Sequence, residues 1–209
     1  RDGWMVLRYD KPGTGASDAN PDSLDLGARR AAIAAAWQAL RADIDADPDH
    51  TLILGHGEGA ALALEFAASE PTVAGTIALS PPYSEPSRVP HIPAAENAPG
   101  DWIDTPAGLL FVGKYKDLRA FDSAEYLGDP GWAGRPVLLG FAGADARLSG
   151  EDMQQQATLL AGAGAEVDEA SWVGVNRFLT LGEPDAAPDP TLVGDLLAWL
   201  EAYLVEVEP

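Results

Sequence analysis

The chain has 209 residues, 46% hydrophobic and 22% charged, which is ordinary globular composition within the length of a single domain with one core. Lys+Arg number 13 against 33 Asp+Glu, and a formal net charge of -20 with no basic run argues against nucleic acid and anionic membrane as partners. No stretch approaches ~20 consecutive apolar residues, the N-terminus lacks the succession of a signal peptide, and Cys 0 leaves neither a disulfide framework nor a thiolate metal site, so a cytoplasmic protein without metal or cofactor is expected.

The elements alternate along the chain. Residues 4–9 (WMVLRY) predict a first strand, bounded by Gly3 and Asp10. Ile33, Trp37, Leu40 and Ile44 recur at helical spacing behind a polar start from Asp22 to Asp25, and the acidic stretch containing Pro48 predicts the stop. A strand over 51–54 (TLIL) leads into glycines that open a second helix, followed by a strand over 73–79. The stretch that follows, 81–135, holds eight of the 17 prolines and many aromatics without a strand pattern, which predicts a lid-like insertion or a Pro-rich connection with its own small core. A strand over 137–141 comes next. Ser149 with Asp152 three positions on predicts a capped helix to about Gly162. After a strand over 166–172, Asp189 and Pro190 predict the N-cap and first position of a last helix carrying Val193, Leu196, Leu197, Leu200 and Leu204. This alternation is that of an α/β domain, with a mostly parallel sheet and helices on both faces.

The segment 51–66 (TLILGHGEGAALALEF) admits two chemistries. In a dinucleotide fingerprint, Gly55, Gly57 and Ala60 permit a tight turn, approach of a pyrophosphate and helix packing, but the next strand ends Leu79-Ser80-Pro81 without the acid that would hold a ribose. In a nucleophile elbow, G-x-S-x-G, the flanking positions must be small and the tip carries a reactive oxygen. Gly55 and Gly59 flank, and the tip is Gly57.

Four further motifs favour the elbow. Asp10-Lys11-Pro12-Gly13-Thr14-Gly15-Ala16-Ser17 resembles the D-x-R-G-x-G-x-S turn of α/β-hydrolases, with Pro12 in place of Arg. Gly143-Ala144-Asp145 resembles that family's G-x-D, and Phe121-Asp122 with Tyr126-Leu127 resembles the approach to the strand before it in esterase-like bacterial members. Gly174-Val175-Asn176-Arg177-Phe178 is similar to the segment that carries the catalytic His, with Arg177 in the His position. The resemblance runs through almost the whole chain and implies an α/β-hydrolase-like fold. It also implies Gly57 in the nucleophile position, Asp145 as triad acid and Arg177 in the base position, with Asp10, His56 and Glu58 as pocket residues.

Glycine has no nucleophilic atom and arginine does not act as a base near neutral pH. None of the histidines substitutes: His50 precedes a strand, His56 holds a packing position of the elbow, and His91 lies in the insertion. The expectation is therefore a pseudo-hydrolase that binds a small-molecule ligand or a protein, with Arg177 paired to Asp145. The alternative is a serine carboxylic-ester or acyl hydrolase in an altered or inactive form. The family's strand and oxyanion loop that precede the first strand are not in this sequence, so self-association or a preceding N-terminal segment is expected to complete the sheet.

Overall fold

The computed structural model describes residues 4–18, 26–83, 122–145, 148–183 and 185–207. They fall into two compact units, one containing residues 1–51 and 84–122, the other 52–83 and 123–209. Most of the insertion, 84–121, including His91, lies outside the described residues, as does the polar start at Asp22 to Asp25.

In the first unit, helix α1 (Leu26–Arg41) buries Leu26 and Trp37. It stops earlier than Pro48 requires, and Ile44, expected on its apolar face, is 96% exposed. The reason is local competition. Asp43 accepts from the Asp45 N–H at 3.0 Å and Asp47 from the Asp49 N–H at 2.9 Å, two side-chain turns that take over from the helical ladder. Residues 4–9 form no strand, and Met5, Val6, Leu7 and Tyr9 are exposed. The strand expected there is corrected to a segment without regular structure, because strand-forming composition is realised only where a neighbour supplies a ladder.

The second unit is a four-stranded parallel sheet in the order β1-β2-β3-β4, built from β1 (Leu52–His56), β2 (Gly75–Leu79), β3 (Pro136–Ala142) and β4 (Glu166–Trp172). The central strands β2 and β3 are buried almost throughout, which is why their sequences read as continuous apolar runs rather than alternating ones. Helix α2 (Glu58–Ser69) packs on β1 and β2. On the other face, Ile77, Leu79, Leu138, Ala142 and Trp172 form a cluster with Leu192, Leu196, Trp199 and Leu200 of the last helix, α5 (Pro190–Val207). Helix α4 (Gly150–Gly162) packs against β4, and its N-cap Ser149 hydroxyl accepts from the Asp152 N–H at 3.0 Å.

Helix α5 begins where the sequence places it: one Asp189 oxygen accepts from the Thr191 and Leu192 N–H groups, each at 3.0 Å. Leu196 and Leu200 pack on the sheet as the sequence predicts, but the rest of the face differs. Val193 and Leu197 are exposed, while Leu192 and Tyr203 are buried and Trp199 packs on the sheet. Two indole hydrogen bonds at 2.8 Å fix this rotation, from Trp172 Nε1 to Asp195 and from Trp199 Nε1 to Asp168.

The last part of the expected insertion belongs to this unit's core. Short helix α3 (Ser123–Leu127) and the 3-10 turn Pro130–Trp132 pack against α2. Leu127 and Trp132 are fully buried. Arg135 ties the turn to the C-terminus of α2: Nη1 donates to the Glu70 carbonyl at 3.1 Å, Nε to the Gly131 carbonyl at 2.7 Å, and the guanidinium lies 5.0 Å from the centre of the Trp132 ring. Its position meets the partial negative charge of a helix end. Burial lowers its pKa from the ordinary arginine value, opposed by the charges of Asp129 and Glu70.

Candidate active site

The C-terminal ends of the four strands carry Gly57, Ser80, the turn at Asp145 and the loop at Arg177. Gly57 follows β1 directly and caps α2, with φ 56 and ψ -125. This is a backbone region that side chains populate only under strain. Its N–H donates to the Leu79 carbonyl at 2.8 Å, and its carbonyl accepts from Ala60 at 2.9 Å, so the bend is held on the β2 side and the helix side at once. Among the described residues nothing lies within 4 Å of where a Cβ on Gly57 would stand.

The small-residue requirement of the elbow holds at one flank. A Cβ on Gly55 would run into the Gly59 carbonyl and reach 2.5 Å from its carbon, so strand and helix touch here through backbone. At Gly59, expected to be equally confined, nothing among the described residues lies within 4 Å. Ala60 is fully buried where the helix packs. His56 is exposed at the end of β1, and Glu58 starts α2 half-buried.

Ser80 joins the elbow to the acid turn. It is buried with φ 50, donates its N–H to Gly140 at 2.6 Å and accepts the Ala142 N–H on its hydroxyl at 3.1 Å. Leu79, which receives the Gly57 N–H, is its neighbour. Ser80 carries little signal in the sequence, only that of a polar residue closing an apolar strand. Ser80→Ala is expected to destabilise the protein by about 1–3 kcal/mol, since the buried Ala142 N–H loses its acceptor. Ser80→Gly is expected to lose less, because it relieves a left-handed backbone. Denaturant titration of both variants checks the order, and an equal loss would remove the strain argument.

Asp145 is buried in the turn after β3, where its N–H donates to Ala142 at 3.0 Å. The next turn is bonded to it directly: the Gly143 N–H donates to Trp172 and the Ala144 N–H to Val175, both at 2.9 Å. Arg177 follows two residues later, half-buried, with its guanidinium 4.6 Å from the centre of the Phe178 ring. Asn176 organises this loop. Its carbonyl oxygen accepts from the Phe178 N–H at 2.8 Å, and its amide donates to Thr180 Oγ1 at 2.9 Å and the Gly182 carbonyl at 2.6 Å. With parallel strands about 4.8 Å apart, β1 and β3 stand two steps apart, on the order of 10 Å.

Asp10 belongs to the other unit, where it closes its own turn by accepting from the Ala16 N–H at 2.9 Å. His50, two residues ahead of β1, is bound to Asp47 at 2.6 Å, and that hydrogen bond holds the Asp47 carboxyl below its ordinary pKa. Among the described residues no group of three or more His, Asp or Glu could hold a metal ion, and no helix is long and apolar enough to cross a membrane.

A parallel sheet with helices packed on it and a sharp glycine bend between β1 and α2 is an α/β-hydrolase-like arrangement. The chain belongs to the alpha/beta hydrolase family, whose model matches residues 1–209. Among solved structures it is similar to the α/β hydrolase GrgF from Penicillium sp. sh18, with a TM-score of 0.68 and 14% identity over 94% of this chain and 79% of that one. It is also similar to an esterase from Rhizomucor miehei (TM-score 0.63, 18% identity) and to an esterase from Pyrococcus furiosus (TM-score 0.59, 13% identity), covering 88% and 85% of this chain. The chain spans 62% of the length of each of those two esterases. No curated protein sequence matches it.

Proposed function

We propose that the chain is an α/β-hydrolase-fold protein that binds a ligand at the C-terminal ends of its strands without hydrolysing it. The conformation of Gly57 carries this reading: the bend is built, with φ 56 and ψ -125, and bears no oxygen. Acyl transfer needs a hydroxyl to attack the carbonyl and a base to take its proton. Arg177, two residues beyond the Val175 carbonyl that anchors the Asp145 turn, supplies a permanent cation instead of a base. In this reading Arg177 is the counter-charge to the buried Asp145, which without a cation would be costly.

A serine ester hydrolase with Ser at 57 and His at 177 is the second reading. The open space beside Gly57 favours it, because a hydroxymethyl group there displaces no described atom, and two of the similar structures are esterases. The dinucleotide reading has no comparable support. The described strands run in one direction across the sheet, β1-β2-β3-β4, so no reversal of order opens a crevice beside β1.

Short-chain p-nitrophenyl esters test the proposal. The natural chain is expected to match the buffer rate, and Gly57→Ser with Arg177→His is expected to exceed Gly57→Ser alone by about 10²-fold, the contribution of a general base. Saturable turnover by the natural chain, abolished in Asp145→Asn, would overturn it.

A further inference from the structure

Three consecutive residues at the end of β2 each carry a tie to a different part of the domain. The Leu79 carbonyl accepts the Gly57 N–H at 2.8 Å, Ser80 bonds to β3 through the Gly140 carbonyl and the Ala142 N–H, and the Pro81 carbonyl accepts from Gln156 Nε2 of α4 at 3.1 Å. The Ala142 carbonyl in turn accepts from the Asp145 N–H at 3.0 Å, so the bend and the acid turn are joined through residues 79–81. All of these residues lie in the second unit.

Two features of this junction cost stability. Ser80 holds φ 50, where a residue other than glycine is strained. Gln156 is fully buried, and its Oε1 has no hydrogen-bond partner. Pro81 fixes the orientation of that amide: a carbonyl can only accept, so the NH2 group must face it and the oxygen must point away. A buried acceptor without a donor costs more than one hydrogen bond returns, whereas an apolar side chain of similar shape carries no such penalty. Ala157 and Leu160, the other buried residues of α4, are apolar. A glutamine at 156 is therefore the poorer choice for packing and the better one for holding Pro81.

We infer that Gln156 is a positioning residue: on the reading that the Gly57 bend is the site, it holds residues 79–81 from α4 and so fixes the bend relative to the Asp145 turn. It acts through Pro81 on Leu79, whose carbonyl holds the tip, and on Ser80, whose hydroxyl holds the end of β3 that leads to Asp145. Pro81 and Pro82 transmit the constraint, because each ring fixes φ and leaves the stem little freedom to turn about the bond to Gln156.

Gln156→Met keeps the length of the side chain and removes both the donor and the orphaned oxygen. Amide hydrogen exchange, followed residue by residue by NMR, and urea denaturation of this variant test the role. The Gly57 and Ala142 N–H groups are expected to exchange about 3- to 10-fold faster, the loss of one hydrogen bond read as local opening, while those within α5, on the opposite face of the sheet, keep their rates. The denaturation midpoint is expected to stay level or rise, because the buried penalty leaves with the oxygen. Exchange that quickens at all amides alike, with a lower midpoint, is the signature of a merely structural residue and would overturn the proposal. Unchanged exchange at Gly57, or a variant that fails to fold, would overturn it too. No ligand or ester enters the measurement, so its failure leaves the binding reading of Gly57 in place, and ester turnover by the natural chain leaves the exchange pattern in place.

Discussion

Trp132→Ala is expected to cost about 3–5 kcal/mol, the range for deleting a large buried aromatic. Trp132 is fully buried, its Nε1 donates to the Tyr126 carbonyl at 2.7 Å, and Arg135 lies over its ring. Removing the indole would leave a cavity beside α2, leave the Tyr126 carbonyl only the long bond from the Asp129 N–H at 3.5 Å, and take away the ring over which the Arg135 guanidinium lies. Relaxation can recover only part of this, because the turn is anchored by Asp129, which accepts from the Gly131 N–H at 2.7 Å. Trp132→Phe is expected to cost less, about 1–3 kcal/mol, since it fills most of the space and forfeits mainly the hydrogen bond. Urea titration of both variants measures the difference. A loss below about 1 kcal/mol for Trp132→Ala would mean that residues 123–135 cover the sheet rather than belong to its core.

That assignment marks one boundary of what the sequence makes legible. The central strands were legible because both faces are covered, so almost every position is apolar and the run stands out. The starts of α4 and α5 were legible because Ser149 and Asp189 act on N–H groups two or three residues away, within reach of any local reading. Features set by distant partners were not. Residues 4–9 have the composition of a strand and no ladder, and the apolar spacing of α5 placed Leu196 and Leu200 but not Leu192 or Trp199, whose face is set with the Trp172–Asp195 contact. The end of the insertion was missed for the same reason, since its prolines and aromatics read alike whether they line a lid or fill a core.

The turns at the strand ends were legible in outline: the bend at Gly57, the turn at Asp145 and the loop before Arg177 could be read from glycine-bearing motifs, because glycines at strand ends report local backbone shape. What holds these parts together is side-chain chemistry of modest appearance. Ser80 links the β2 end to Ala142, and Asn176 gathers Phe178, Thr180 and Gly182 around itself, a role that nothing in the sequence distinguishes from that of other polar loop residues. Both act through hydrogen bonds whose partners cannot be chosen before the fold is known.

Three alanine substitutions in the elbow are expected to separate its mechanical parts. Gly55→Ala places a Cβ against the Gly59 backbone, which no rotamer change can relieve, so strand and helix must move apart. The expected loss is about 3 kcal/mol, at the upper end for overpacking. Gly57→Ala meets no atom of the described residues but imposes a side chain on φ 56, with an expected loss of about 1–3 kcal/mol. Gly59→Ala also meets none, within the first turn of α2, and the better helix former is expected to gain about 0.5–1 kcal/mol. The order Gly59→Ala above the natural chain, then Gly57→Ala, then Gly55→Ala is read from denaturation midpoints at constant slope. A contact rather than a torsion decides this order: Gly55 under Gly59 sets the angle at which α2 leaves β1, and that angle holds Gly57 bent outward. If Gly55→Ala proved as mild as Gly57→Ala, the bend would owe its shape to its own backbone and its bond to Leu79, and the close packing of strand on helix would be incidental to it.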